Sequence, residues 1–122
     1  MPPAVRALRG ATTVDVDEPQ HITERVHALF GELFARNDIH HDDVISVLFT
    51  ATDDIHSMFP AAAARKFGLG DVPLLCAREL EVDGAAERCI RVMLHLMTTR
   101  AKTELHHVYL EGAKGLRDDL PD

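Results

Sequence analysis

Residues 76–91 read CARELEVDGAAERCIR and join two apolar runs, VPLLC (72–76) and CIRVMLHLM (89–97). Asp83-Gly84 supplies the turn between them. In the second run Ile90, Val92, Leu94 and Leu96 alternate with Cys89, Arg91, Met93, His95 and Met97. A period of two predicts a strand, and two largely apolar sets predict one covered on both faces. Arg91 is then expected among buried groups, where an unpaired charge is very costly. Its anionic partner is Glu79 as a structural salt bridge, an external carboxylate, or both. The stretch holds no evident nucleophile–base pair and no metal-ligand spacing. An acid and an arginine without a nucleophile suit a reaction that needs only shape and fixed charge.

Upstream, the continuous apolar run VISVLFTAT (44–52) predicts a central strand covered on both faces. DDIHSMFPAAAARKFG follows as a short helix, with Pro60 near its start and Gly68 as its stop. Phe59, just before the first turn, is a staple onto the core or the lining of a pocket mouth. Near the N-terminus, Val5, Ala7 and Arg9 share one face of a predicted strand in which Gly10 marks a bulge or a close approach. Alternation would aim Arg9 inward, while the residues alone favour a solvated strand-end arginine. Asp17 is the expected cap of a helix in which Ile22, Val26, Leu29, Phe30, Leu33 and Phe34 recur at helical spacing, ending near Asn37-Asp38. Glu24, Arg25, Glu32 and Arg36 form its solvated face.

Downstream, HHVYLEGA (106–113) predicts a last strand, with His107, Tyr109 and Glu111 on one face. The tail GLRDDLPD (115–122) is polar and expected to be mobile. Adjacent histidines point apart, so His40-His41 and His106-His107 are expected in polar loops rather than at a metal. The order β-α-β-α-β-β-β predicts one domain spanning residues 1–122, an α+β or α/β sandwich with two main helices on one face of a mixed sheet, and the α+β form is the one expected. An apolar second face would then be hidden in an oligomer.

The formal net charge of −7 argues against nucleic acid or an anionic membrane as partner. No stretch approaches the ~20 apolar residues that cross a bilayer. The two cysteines, Cys76 and Cys89, have neither CxxC nor zinc-like spacing and read as reduced thiols of a cytoplasmic protein.

Several blocks resemble one family in order: RALRGATTV, ATDDIHSMFPAAAAR, VPLLCAREL followed by CIRVM, and HHVYLEGAKGLRDDL. They are similar to the monofunctional chorismate mutases of the AroH class, the trimeric α+β class rather than the all-helical one. The resemblance implies a homotrimer with a pseudo-α/β-barrel interior and active sites at the subunit interfaces. It implies the pericyclic rearrangement of chorismate to prephenate, on the route to phenylalanine and tyrosine, with no covalent intermediate, no cofactor and no metal. Matched residue by residue, Arg9 and Tyr109 would hold a carboxylate, Arg91 would face the ether oxygen, and Glu79 and Cys76 would meet the ring hydroxyl. Phe59 and Arg65 would come from the adjacent subunit, Leu74 would line the substrate, and Leu116 with Arg117 would close over it. Ala62 stands where the family usually carries a lysine, which removes a positive charge from the cleft mouth. Leu75 likewise replaces what is often a small polar residue. The alternative is a non-catalytic trimeric module that binds a small carboxylated metabolite in the same cleft.

Overall fold

The computed structural model describes residues 2–116. The elements run β1 (Ala4–Thr13), α1 (Pro19–Asn37), β2 (Val44–Ala51), α2 (Pro60–Ala64, continued by a π-helical turn Arg65–Leu69), β3 (Leu74–Arg78), β4 (Cys89–Thr98) and β5 (Val108–Tyr109). They form a five-stranded mixed sheet in the order β3-β2-β4-β1-β5. β4 pairs antiparallel with β1 and β2, whereas β2–β3 and β1–β5 are parallel. This is the expected α+β order.

The apolar stripe of α1 explains the layering. Ile22, Val26, Leu29, Phe30 and Leu33 are fully buried and pack in one core with Leu8, Val47, Phe49, Ile90, Val92 and Leu94 from the sheet. α2 joins that layer: Phe67 stacks on Phe30 and Phe34, and the His27 ring meets the Ala63 carbonyl at 2.9 Å. Gly10 is the close approach expected of it. A Cβ there would sit 3.1 Å from Val92 and 3.2 Å from Leu29 and Leu33. Gly10→Ala is therefore expected to lower unfolding stability by about 1–3 kcal/mol, read from the denaturant midpoint.

The other face of the sheet is open. Val5, Leu48, Leu75 and Met97 are all exposed on it, so β2 and β4 are covered within one chain on a single face, not on both. Helices are available to only one side, because α1 and α2 pack against each other.

Other expectations need correction. Glu18, not Asp17, precedes α1, and no side chain caps it. Asp17 instead accepts from the backbone N–H groups of His56 (2.8 Å) and Ser57 (3.1 Å). Burial opposes its ionisation, but those bonds outweigh it and hold the carboxyl below its usual range. Arg25 is not simple solvated surface: it donates to the Thr13 carbonyl and pairs with Asp15 at 2.8 Å. β3 begins at Leu74 rather than Val72, because Val72 closes a turn onto Leu69 and Pro73 has no N–H for the ladder. β5 covers only two residues of the expected last strand, since Glu111 turns to a positive φ of 53°. Among the described residues, no helix is long and apolar enough to cross a membrane.

Candidate active site

One lateral row of the sheet carries the polar cluster. Ala77, Thr50, Arg91, Ala11 and Tyr109 are aligned in register across β3, β2, β4, β1 and β5. Residues in register share a face, and here it is the open one. The neighbouring row on that face reads Leu75, Leu48, Met93 and Arg9. Arg9 thus points away from the helical core and lies half-buried beside the Arg91 row.

Glu79 lies just beyond β3. Its N–H donates to the Ala51 carbonyl at 2.9 Å, which turns the carboxylate back over β2. Thr50 Oγ1 donates to Glu79 Oε2 at 2.5 Å, and Arg91 Nε stands 3.3 Å from the same oxygen. The pairing left open by the residues is therefore made. It is nonetheless a charge contact rather than a full hydrogen bond: Arg91 Nε is buried and has no hydrogen-bond partner among the described residues. With 32% of the Arg91 side chain and 22% of Glu79 exposed, both groups remain reachable from the open face. The exposed part of a cation so held can receive an anionic or electron-rich oxygen from the open face.

Cys89, two residues before Arg91, is buried, and burial pushes its thiol pKa up while the Arg91 guanidinium opposes the shift. The preceding residue is fixed from afar. Asp54 accepts from the Arg88 N–H at 2.9 Å and from Thr52 Oγ1 at 2.5 Å. These bonds outweigh the opposing effect of burial and hold its carboxyl below the usual range. Arg88 itself sits at φ 45°, a left-handed conformation that a non-glycine residue adopts only when its surroundings hold it.

The remaining expected site residues lie elsewhere. Cys76 and Leu74 are in register with Phe49 and Val47 and so face the helical side. Cys76 and Phe59 line a cleft of about 630 Å³ with Ala62 and Arg78. Phe59 is 73% exposed at its wall, so it is no staple onto the core. Arg65 is exposed at the start of the π-helical turn, beyond this lining. Leu116 is half-buried and donates its N–H to the Ala113 carbonyl, while Arg117 falls outside the described residues, as does the tail from there on. One chain thus carries two groups of site residues on opposite faces of the sheet. Thr50 escaped the sequence reading. Within VISVLFTAT it is one of three polar residues in an otherwise apolar run, and only its register with Arg91 gives it a role.

A family model described as chorismate mutase type I matches residues 5–120. The chain belongs to that family. A chorismate mutase AroH of Bacillus subtilis (strain 168) is 38% identical over 117 residues, covering 95% of this chain and 92% of the relative. A chorismate mutase AroH of Thermus thermophilus is 42% identical over 117 residues, covering 95% and 96%. A solved chorismate mutase from Clostridium thermocellum superposes with a TM-score of 0.87 at 43% identity, covering 89% of this chain and 97% of its own. Membership of the chorismate mutase type I family thus spans the β1, β4 and β5 segments that build the Arg91 row. The α+β chain fold implied by the resemblance is shared with that solved relative.

Proposed function

We propose that this chain is itself a chorismate mutase, converting chorismate to prephenate in the cytoplasm, without cofactor or metal, at a cleft completed by neighbouring copies in a trimer. The observation that carries this reading is the Arg91–Glu79–Thr50 cluster, set in a chain that matches the family over residues 5–120. Breaking the substrate's ether C–O bond leaves negative charge growing on oxygen. Arg91 stands ready for that oxygen, and its interaction strengthens as the charge develops. No proton need move and no covalent bond to the protein is required.

Arg9 and Tyr109 hold the substrate carboxylate, which folds the flexible dianion over its ring and converts binding into orientation. Glu79, held over β2 by its bond from Thr50, accepts from the ring hydroxyl. Phe59, Arg65, Leu74 and Cys76 reach the substrate from the adjacent copy, which agrees with their placement away from Arg91 on one chain. Leu116 lies at the mouth. Ala62 in place of a lysine weakens substrate affinity rather than the chemical step.

Loss of chorismate absorbance, followed with purified protein in EDTA, tests the activity. Turnover is expected to survive the chelator. A folded protein that binds a carboxylated metabolite but leaves chorismate unchanged would establish the non-catalytic module instead.

A further inference from the structure

We propose that His107 is a positioning residue for Arg9, acting through a hydrogen bond from the Arg9 backbone to its ring. This rests on the reading of Arg9 as a substrate-carboxylate ligand. The parallel β1–β5 ladder is very short, pairing only Gly10 with Val108 and Ala11 with Tyr109. The Ala11 carbonyl accepts from the Leu110 N–H and so points toward β5. Two residues earlier on the same strand, the Arg9 N–H points the same way, past the last ladder pair. His107 Nδ1 accepts it there at 2.9 Å. A side chain thus continues the ladder where the strand has ended.

The backbone just before this ring is held from the helical layer. Asn37, the last residue of α1 and 2% exposed, clamps the backbone of His106 in both directions. Its Nδ2 donates to the His106 carbonyl at 2.9 Å, and its Oδ1 accepts from the His106 N–H at 2.6 Å. A line of contacts therefore runs from the end of α1 through Asn37 and His106 to His107, and from there to Arg9. On the next residue, Gly10 rests against Leu29, Leu33 and Val92. With β1 seated on its inner side by Gly10 and tied at its edge by His107, the Cα–Cβ direction of Arg9 is fixed before substrate arrives. Accepting at Nδ1 requires the neutral ring to carry its proton on Nε2.

An arginine that binds a carboxylate in both ground and transition states contributes to KM more than to kcat. His107→Leu, which keeps bulk but removes the acceptor, is expected to raise KM for chorismate about tenfold while kcat changes less than about threefold. His107→Asn, whose Oδ1 lies near the place of Nδ1, is expected to restore most of the affinity. An unchanged KM in His107→Leu, or equal losses in the Leu and Asn variants with melting curves like the wild type, would overturn the proposal. So would a ring nitrogen spectrum of the unaltered protein placing the neutral proton on Nδ1, a test that needs no variant to fold. Arg9→Ala is measured beside them. If it raises KM and His107→Leu does not, the positioning role fails alone; if Arg9→Ala leaves KM unchanged, the reading of Arg9 falls and this proposal with it.

Discussion

Arg91→Ala is expected to lower kcat/KM for chorismate by at least about 10³-fold while the protein stays folded. Removing one preorganised donor from a developing oxyanion typically costs 10²–10³-fold, and here the donor also carries a full charge. The structural effect is smaller. Glu79 keeps its bond from Thr50 and the tie of its N–H to Ala51, and it is not sealed from water. A half-exposed ion pair of this kind contributes about 1–2 kcal/mol, between the surface and the buried cases. Stopped-flow turnover paired with a thermal melt separates the two effects. A melt that collapses, with activity tracking only the folded fraction, would mean that Arg91 serves Glu79 and not the substrate. Arg91→Lys is expected to recover part of the rate, since it keeps the charge and loses the planar fork.

The second large effect concerns assembly. Leu48→Asp is expected to give a folded but dissociated chain with turnover reduced at least about 100-fold. Leu48 is 44% exposed in the single chain, so aspartate there costs the isolated fold little. It lies between Leu75 and Met93 in the apolar row next to Arg91. If copies pack on this face, each interface would bury an unpaired carboxylate, at a cost of several kcal/mol. On the proposed reading Cys76 and Phe59 reach the substrate from a different copy than Arg91 does, so dissociation would remove activity. Light scattering and turnover on the same sample decide it. A wild-type-sized assembly with full activity in the variant would place the interface elsewhere.

Much of this architecture was legible because it is local. The alternation of Ile90 to Leu96 and the spacing of Ile22 to Leu33 report which side of each element is apolar, and both sets are buried. Gly10 was legible as a close approach because a strand-interior glycine has few other uses. The misreadings have one common source. Asp17 reads as the cap of the helix two residues on, yet it accepts from backbone N–H groups about forty residues away. Thr50 and His107 looked ordinary because their roles depend on register, which only strand pairing determines. The same holds for apolar residues on both sides of β2 and β4: periodicity reports that a face wants cover, not which molecule supplies it.

The pairing of β1 with β4 also bears on how the chain comes off the ribosome. Thr13 meets Cys89, roughly 75 residues later, and Ala4 waits for Thr98. At ~5–20 residues per second, the first strand made spends several seconds without either neighbour in the sheet. Closing so long a loop is entropically unfavourable until the antiparallel β2–β4 pair is in place to receive it. Arg9 and Arg91 therefore come together late in synthesis, when the two ends of the chain are joined, and nascent chains halted before β4 would display an unpaired, adhesive edge.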